Sequence, residues 1–541
     1  MNNAIYTFRE PKNEPVLEYR PGSPERLSLE KELARQKSQV IDIPLIIGGK
    51  EVRTGQTGKV VMPTDHKHVL ATYHKATEKE VTHAIEAAMA AKKDWLKMPW
   101  IERAAIMAKA AELLSTKYRD LINAATMLGQ GKNVMQAEID AACETIDYLR
   151  FNNYFASQIY SDQPFTGQDT LNRIEYRPLE GFIFTITPFN FTAIAANLNV
   201  SVALMGNTTV WKPATTAILS NYYLMKVYEE AGLPAGVINF VPGSGVLISS
   251  VVFTHRDLAG FHFTGSNDTF NTLWRNISEN LKTYKAYPRI VGETGGKDFI
   301  FAHKSANVPA LATAIVRGAF EYQGQKCSAA SRAYIPESIW KETRDTVIRM
   351  ISEIKMGDVD DFGNFVNSII DEPAYNRIMD YINRVKEEGK AEIITGGNGD
   401  KSKGYFIEPT VIVAKDPHYF IMEEEIFGPV MTIYVYKDDL YEETLKLCDE
   451  TSPYALTGSI FSNDKYATMD AYETLRYAAG NFYLNDKPTG AVVGQQPFGG
   501  SRASGTNDKA GSHLNLLRWV SPRTVKETFL PDTDFKYPFM E

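Results

Sequence analysis

From residue 181 onward, short apolar runs alternate with amphipathic stretches of helical length, and this alternation limits the folds that the chain can adopt. The pattern predicts strands at 181–187, 208–212, 236–241 and 258–264, with helices at 193–205 and 217–231. A second alternating series runs from 299 to about 482. Strands that alternate with helices build βαβ units, in which helices cover both faces of a parallel sheet. The sequence therefore predicts two α/β domains joined near Glu293.

The rest of the chain predicts additions to these two domains. Residues 1–45 are polar and rich in proline, which predicts an extended arm, whereas residues 78–154 carry apolar side chains at helical spacing. Residues 160–176 and 516–529 stand apart in composition from their neighbours, and we expect them to pair into a small extra sheet. Because protruding strands commonly add to the sheet edge of a partner, this extra sheet predicts an oligomer.

Composition and charge exclude several classes of protein. The net charge of −8 provides no basic surface for nucleic acid or for an anionic membrane. Three widely spaced cysteines form no disulfide framework, which favours a reducing compartment. The first twenty residues have no apolar segment typical of a signal peptide, and they contain acidic residues that mitochondrial presequences rarely have. We expect a cytoplasmic protein, or a mitochondrial matrix protein if the source is eukaryotic.

A thiol and a carboxylate are the first candidates for catalysis. Cys327 lies beside Lys326 in the polar segment 320–328, and a cysteine thiol is a strong nucleophile near neutral pH. The alternative is an inert buried thiol, the more frequent role of a single intracellular cysteine. Glu293 is set among glycines within 292–296, which leave room for a substrate beside the carboxylate; the alternative is a solvated loop glutamate. A nucleophile and a base together favour covalent catalysis on a carbonyl.

Asn190 is a candidate for stabilising an oxyanion. It follows the predicted strand 181–187 and precedes the predicted helix 193–205, and ligands of open α/β sheets gather at the carboxyl ends of strands. An amide that donates to a developing oxyanion contributes about 3 kcal/mol elsewhere. A helix cap is the alternative role for this asparagine.

Signals for a cofactor are weaker, and a metal site is not expected. Residues 263–266 (Phe-Thr-Gly-Ser) follow a predicted strand and open a helix, whose amides suit a pyrophosphate, although a capped helix start is the alternative. Lys212 ends a strand and suits ribose hydroxyls; a surface lysine is the alternative. Residues 243–245 lack the third glycine of the usual dinucleotide fingerprint. His66 and His68 have no third residue at ligand spacing.

Six motifs in a fixed order resemble those of the aldehyde dehydrogenase superfamily. They are Pro-Phe-Asn-Phe at 188–191, Trp-Lys-Pro at 211–213, Phe-Thr-Gly-Ser at 263–266, Gly-Glu-Thr-Gly-Gly-Lys at 292–297, Gly-Gln-Lys-Cys at 324–327 and Glu-Ile-Phe-Gly-Pro at 425–429. Within the superfamily, segments such as 129–132 and 493–500 are similar to the branch that oxidises L-glutamate γ-semialdehyde, the open form of Δ1-pyrroline-5-carboxylate.

The resemblance implies an α/β fold like that of aldehyde dehydrogenases. It places a Rossmann-type NAD-binding domain at 1–158 and 180–292, a catalytic domain at 293–500, and a small β oligomerisation flap with the tail at 159–179 and 501–541. The implied activity is the NAD-dependent oxidation of L-glutamate γ-semialdehyde to L-glutamate, the second step of proline degradation, through a thioester on Cys327. The implied partners are the small-molecule substrate, further copies of the chain in a homodimer or larger homo-oligomer, and a proline dehydrogenase coupled in function.

The resemblance also implies three groups of site residues. Cys327, Glu293 and Asn190 correspond to the nucleophile, the base and the oxyanion donor. The cofactor contacts are Thr187, Lys212, Gly265, Ser266, Asn267, Glu425 and Phe427. The substrate contacts are Glu144, Phe191, Ser328, Gly490, Ala491 and Phe498.

Two departures and two alternatives accompany the resemblance. Some members have serine at the position of Ala491, and many relatives have an acid at the position of Thr215, so the strictness of NAD over NADP stays open. A different aldehyde, such as succinate semialdehyde, is the nearer alternative function. A non-catalytic binding or structural protein is the alternative from another class.

Overall fold

The structure, a computed structural model, describes residue 6 and residues 8–540 of the 541-residue chain. Residues 1–5 and 7 of the predicted arm, and residue 541 of the predicted tail, lie outside the described residues. The helices are α1 Pro24–Lys37, α2 Glu78–Trp95, α3 Trp100–Ser115, α4 Arg119–Gln130, α5 Val134–Ala137, α6 Thr145–Ser161, α7 Thr192–Leu204, α8 Ile218–Ala231, α9 Gly245–Val252, α10 Asn267–Glu279, α11 Val308–Phe320, α12 Glu337–Ser352, α13 Glu372–Glu388, α14 Phe420–Glu423, α15 Tyr441–Glu450, α16 Lys465–Thr474 and α17 His513–Leu517. A π-helix, Glu138–Glu144, joins α5 to α6.

The strands are mostly short and buried. They are β1 Ile41–Ile43, β2 Leu45–Ile47, β3 Lys50–Val52, β4 Thr57–Met62, β5 Asp65–His74, β6 Thr170–Pro178, β7 Phe182–Ile186, β8 Thr209–Lys212, β9 Ile238–Phe240, β10 Leu258–Thr264, β11 Arg289–Glu293, β12 Asp298–Ala302, β13 Ala330–Pro336, β14 Ala391–Thr395, β15 Gly399–Asp400, β16 Phe406–Ile407, β17 Thr410–Ala414, β18 Val430–Tyr436, β19 Tyr454–Ala455, β20 Thr457–Phe461, β21 Asn481–Leu484, β22 Ser501–Arg502 and β23 Val520–Thr528.

The first large sheet has the strand order β11-β10-β7-β8-β9-β2-β3. Strands β7 to β11 run parallel, and β2 and β3 extend the sheet as an antiparallel hairpin. The strands predicted between 181 and 264 are confirmed as β7 to β10, and the two predicted helices are confirmed as α7 and α8. These parallel strands are covered on both faces, which explains why the sequence shows them as short, nearly continuous apolar runs.

The second large sheet has the order β14-β17-β18-β13-β12-β20-β21, in which only the edge strand β14 is antiparallel. The alternating series predicted from 299 to 482 is confirmed, because these strands lie within residues 298–484 with helices between them. The segment 294–297 alone joins β11 of the first sheet to β12 of the second. We propose residue 293 as the boundary between the two α/β domains.

The predicted extra sheet forms, and the predicted arm is partly wrong. Strand β6 pairs with β23 along nine antiparallel positions, so the pairing of the two separate segments is confirmed. Residues 24–37 of the predicted extended arm are helix α1 instead. The signal for this helix was present: Ser23 caps it, Pro24 occupies its first position and Glu25 adds negative charge to its first turn. The prolines were interpreted as a sign of extended chain, although proline also favours the first position of a helix, which Pro24 occupies.

Within the part of the chain that the structure describes, no helix combines the length and the apolar character needed to cross a membrane.

A buried polar network stabilises the second sheet near the junction between the sheets. On β13, the Tyr334 hydroxyl accepts a hydrogen bond from Arg332 Nη1 (2.9 Å) and donates one to Thr451 Oγ1 (2.9 Å). Arg332 Nε donates to the carbonyl of Lys297 at 2.8 Å, in the segment between the two sheets. Tyr334 and Arg332 are both buried. Loss of any bond in this network therefore leaves a buried polar group with no hydrogen-bond partner, since water does not reach it.

Replacing Tyr334 with phenylalanine is expected to destabilise the protein by about 1–2 kcal/mol, because it removes the acceptor of Arg332 and the donor to Thr451 inside the core. The matched variant Tyr466→Phe changes a side chain on α16 that is 81% exposed, and it is expected to alter stability by less than about 0.5 kcal/mol. Calorimetric melting temperatures of the two variants provide the comparison; equal values would contradict a stabilising role for the Tyr334 hydroxyl.

Candidate active site

Four of the predicted site positions lie along one edge of the first sheet. Thr187 follows the end of β7, Lys212 is the last residue of β8, Gly265 follows β10, and Glu293 ends β11. These strands are parallel neighbours in the order β11-β10-β7-β8, so their carboxyl ends meet. The chain begins the parallel part of the sheet at β7, adds β8 and β9 on one side, and then returns to add β10 and β11 on the other. Ligands of such sheets bind at this switch point.

Cys327 lies between α11 and β13, in a turn whose backbone has an unusual conformation. Tyr322 and Gln323 adopt left-handed φ values of 51° and 56°, a conformation that costs a residue with a side chain about 1–3 kcal/mol. The Gln323 side chain fixes the turn, because its Nε2 donates to the carbonyls of Gly131 (2.9 Å) and Ser368 (2.8 Å). The position of the thiol therefore depends on contacts with two distant parts of the chain.

The Cys327 thiol is half-buried and lines a cavity. It is therefore not the sealed, inert thiol of the alternative interpretation. Burial raises the pKa of this thiol, and the nearby Asp298 and Glu293 carboxyls raise it further. The neighbouring Lys326 donates to Glu321 Oε2 at 3.0 Å, so its ammonium is paired with a carboxylate. The thiol in this state is neutral and needs a proton acceptor before it can attack.

Glu293, the last residue of β11, is the candidate for this acceptor. Its Oε2 is buried and has no hydrogen-bond partner among the described residues, so the interpretation as a solvated loop residue is wrong. Burial raises the pKa of this carboxyl well above its ordinary range, an effect that a backbone hydrogen bond from Gly500 and the charge of Lys509 partly offset. A carboxyl with a raised pKa in a cleft is typical of a general base.

Asn190 is attached to the turn that carries Cys327. Its Nδ2 donates to the carbonyl of Gln325 at 3.1 Å, and the residue is buried. The residue that caps α7 is Phe191, without a side-chain hydrogen bond, so the helix-cap interpretation of Asn190 is wrong. The structure thus places the side-chain amide of Asn190 next to the turn that carries Cys327.

All six predicted substrate residues line one cavity together with Cys327. The cavity has a volume of about 240 Å³, which is below the range of pockets for drug-sized molecules and favours a small substrate. The six are Glu144, Phe191, Ser328, Gly490, Ala491 and Phe498. Ser328 Oγ and Thr489 Oγ1 are 2.7 Å apart and share a hydrogen bond. Burial raises the pKa of Glu144, at the end of the π-helix, to about 8.

Sequence reasoning missed three of the charged residues of this cavity, Arg317, Glu321 and Lys487. Arg317 and Lys487 line it together with the buried Glu321–Lys326 pair. A Cβ atom at Gly490 would lie 3.2 Å from Lys487 Nζ, so this ammonium reaches the backbone of a predicted carboxylate contact. The sequence signal that could have identified Lys487 was its position, three residues before Gly490. Among these four residues three are cations and one is a carboxylate, and their net positive charge suits an anionic substrate group.

A second cleft, of about 530 Å³, lies beside the ends of β7 and β8. Lys212 lines it, and burial alone lowers the pKa of this ammonium to about 8. Helix α10 begins beside the cleft, and its N-cap Ser266 accepts from the amide of Thr269 at 3.3 Å. This bond leaves other first-turn amides available for a phosphate. Ammonium and amide donors of this kind suit the ribose and pyrophosphate of NAD.

The remaining predicted cofactor residues lie between the two sheets or beside the cleft. Glu425 Oε1 accepts from the amide of Gly296 at 2.9 Å, and burial raises the pKa of its carboxyl to about 7. A Cβ atom at Gly295 would lie 2.1 Å from that oxygen, so only glycine permits the approach. Phe427 has a φ of 56° and packs edge-on against Phe189. Asn267 Nδ2 donates to the carbonyl of Ala503 at 2.7 Å, so its side chain holds the chain near β22.

Comparisons with known proteins agree with this geometry. Residues 51–525 match the model of the aldehyde dehydrogenase family. The chain is 56% identical over 533 residues to the mitochondrial Δ1-pyrroline-5-carboxylate dehydrogenase of Dictyostelium discoideum, with 98% of this chain and 96% of that protein covered.

Two solved structures are similar over almost the entire chain. The crystal structure of the Δ-pyrroline-5-carboxylate dehydrogenase from Mycobacterium tuberculosis bound with NAD has a TM-score of 0.97 and 50% identity, with 100% of both chains covered. Proline utilization A from Bdellovibrio bacteriovorus has a TM-score of 0.91 and 28% identity, with 96% of this chain and 54% of that chain covered. The chain therefore belongs to the aldehyde dehydrogenase family.

Proposed function

We propose that this enzyme oxidises L-glutamate γ-semialdehyde, the open form of Δ1-pyrroline-5-carboxylate, to L-glutamate with NAD, the second step of proline degradation. The observation that carries the proposal is the shared cavity, which Cys327 lines together with Ser328, Gly490, Ala491 and Lys487. A thiol suits the aldehyde, and hydroxyl and backbone groups near an ammonium suit the remote carboxylate. Relatives similar over nearly the whole chain are Δ1-pyrroline-5-carboxylate dehydrogenases, one of them bound with NAD.

In the proposed reaction, Cys327 Sγ forms a bond to the aldehyde carbon, and its proton passes to a nearby base. The Asn190 amide and the Cys327 backbone N–H stabilise the oxyanion that develops on the former carbonyl oxygen. Bound NAD supplies the nicotinamide ring that accepts the hydride from this carbon. A thioester on Cys327 remains, Glu293 removes a proton from water, and the hydroxide displaces the sulfur to release L-glutamate.

The proposed cofactor contacts divide between two regions. Lys212 and the start of α10 at Gly265, Ser266 and Asn267 hold the ribose and pyrophosphate end. Thr187, Glu425 and Phe427 hold the nicotinamide end near the turn of Cys327. Thr215 stands where many relatives have an acid, so this position supplies no negative charge that would repel a 2′-phosphate.

We further propose assembly and coupling beyond the single chain. The β6–β23 ribbon presents a sheet edge that a second copy extends, giving a homodimer or a larger homo-oligomer. Similarity to a protein of proline utilization, nearly twice as long as this chain, supports functional coupling to a proline dehydrogenase. The cytoplasm is the proposed compartment, with the mitochondrial matrix as the alternative because the Dictyostelium relative is mitochondrial.

The substrate is tested by absorbance at the NADH band. With saturating NAD, kcat/KM for Δ1-pyrroline-5-carboxylate is expected to exceed kcat/KM for succinate semialdehyde by at least about tenfold. Succinate semialdehyde lacks the α-ammonium and one methine carbon. Its carboxylate is therefore placed differently against Ser328 and Lys487. A higher kcat/KM for succinate semialdehyde would contradict the proposed substrate.

Cys327→Ala is expected to abolish NADH formation, because no thioester can form, while NAD binding measured by titration calorimetry is retained. The control is Cys448→Ala, which removes a thiol that is buried in the core of the second sheet. This control is expected to keep kcat within about twofold, since surfaces of the cavity are unchanged. Turnover by the Cys327 variant would refute the assignment of the nucleophile.

Glu293→Gln is expected to stall the acyl-enzyme, giving a burst of NADH followed by a steady rate at least about 10²-fold lower. The raised pKa of Glu293 adds a pH dependence. Since the base must be ionised, the steady rate of the wild type is expected to rise with pH through a midpoint above 4.5, the ordinary value for glutamate. Rapid-mixing absorbance across this pH range measures both effects. A steady rate for the glutamine variant equal to that of the wild type would exclude Glu293 as the base.

A further inference from the structure

The N-terminal segment 13–19 passes beside the substrate cavity as irregular chain. Val16, which is 46% exposed, helps to line the cavity with Cys327 and Ser328. No helix or strand includes this segment, so its course depends on side-chain bonds to the helices beneath it. This segment is the only part of the described chain before residue 100 that lines the cavity.

Buried charges fix the segment to the helical layer. The Glu14 carboxylate bridges Arg119 Nη1 and Arg150 Nη1, at 2.6 Å each. Arg119 Nη2 also donates to the carbonyl of Pro15 at 2.8 Å, and the amide of Leu17 donates to Glu138 Oε1 at 2.9 Å. Arg119 is buried, so these bonds are shielded from water and exceed ordinary surface ion pairs in strength. The segment is a fixed platform that α4, α6 and the π-helix hold.

Asn13 connects this platform to the loop at 487–498. Its Nδ2 donates to Asp147 Oδ2 on α6 and to the carbonyl of Val493, both at 2.8 Å. Its Oδ1 accepts from Gln495 Nε2 at 2.8 Å. One side chain therefore satisfies two groups of the loop and one group of α6, across a separation of about 480 residues in the sequence.

The middle of the loop at 487–498 has few restraints other than Asn13. It contains no helix or strand, and it carries Gly490 and Ala491, whose backbone faces the cavity. The other hydrogen bonds from the loop to the rest of the protein lie at its two ends, at Thr489 and at 497–498. In its middle, Val493 packs against Tyr148 and Phe151 on α6, and the remaining bonds are local turns within 492–496. A loop with few bonds to the rest of the protein opens locally at low cost in free energy.

We propose that Asn13 is a positioning residue that selects the substrate: it holds the loop so that Gly490 and Ala491 meet the remote carboxylate of the aldehyde. This inference rests on the proposed function, because it assigns the carboxylate to that loop. Asn13 acts through the loop and touches neither the thiol nor the base. Its loss therefore weakens binding of a substrate that carries the carboxylate and spares the chemical step.

The test compares two aldehydes in the variant Asn13→Ala. KM for Δ1-pyrroline-5-carboxylate is expected to rise about tenfold, because both hydrogen bonds from Asn13 to the loop are lost, with kcat changed by less than about twofold. For propionaldehyde, which has the aldehyde and no carboxylate, kcat/KM is expected to stay at the wild-type value. Hydrogen exchange at the amides of 490–496 is expected to accelerate. The neighbouring variant Lys12→Ala, in an exposed side chain, is expected to match the wild type in every measurement.

A second variant separates positioning from folding. Gln495→Ala removes one of the two bonds from the loop side and leaves the docking of the segment and the Asn13–Val493 bond intact. It is therefore expected to raise KM by a smaller factor in a protein with a wild-type melting temperature. Equal losses for both aldehydes, or an unchanged KM with unchanged hydrogen exchange in both variants, would overturn the inference. Failure of the wild type to oxidise Δ1-pyrroline-5-carboxylate would count against the proposed function instead, and hydrogen exchange would still test whether Asn13 holds the loop.

Discussion

The turn before Cys327 is the constraint on which the site depends. Its left-handed residues are unfavourable by themselves, and the buried Gln323 amide offsets that cost by binding two carbonyls from distant segments. Gly324 completes the turn, since a Cβ atom there would lie 2.2 Å from the carbonyl oxygen of Gly428. The same turn gives Asn190 its acceptor at Gln325. The thiol, the amide donor and the segment that carries Phe427 are thus fixed by one local conformation.

A buried ion pair fixes the opposite wall of the substrate cavity. Lys132 and Asp140 are both buried and 2.7 Å apart. Asp140 also accepts from the amides of Thr192 and Ala193, at 3.0 and 2.8 Å, where α7 begins. Lys132 Nζ lies 4.1 Å from the centre of the Phe191 ring. Burying such a pair is costly unless further bonds satisfy it, and here the positive end of a helix and an aromatic face do so. The arrangement fixes Phe191 beside the cavity.

The sequence predicted the parts that depend on local pattern. Strands β7 to β10 were visible because a strand buried on both faces is uniformly apolar, and Cys327, Glu293 and Asn190 were visible because glycines and strand ends surround them. The role of Lys487 was not visible, because its ammonium matters only through the fold that brings it to Gly490. The π-helix at Glu138–Glu144 was also missed, since one extra residue in a helical turn leaves little trace in apolar spacing. Asn13 was missed because its partners lie about 130 and 480 residues away.

Burial raises the pKa of Cys327 and of Glu293, which at first sight weakens both the nucleophile and the base. The two raised pKa values have a different consequence when a proton passes from the Cys327 thiol to the Glu293 carboxylate. Ionising the thiol into water creates a new charge in a pocket of low dielectric, which is costly. Passing the proton from the thiol to an ionised Glu293 only relocates a negative charge that the pocket already contains. The penalty of burial then largely cancels, and the negative charge on Glu293, which raises the pKa of the thiol, is removed in the same step. The raised pKa values of the two groups are therefore compatible with the proposed role of Glu293 as the acceptor of the Cys327 proton.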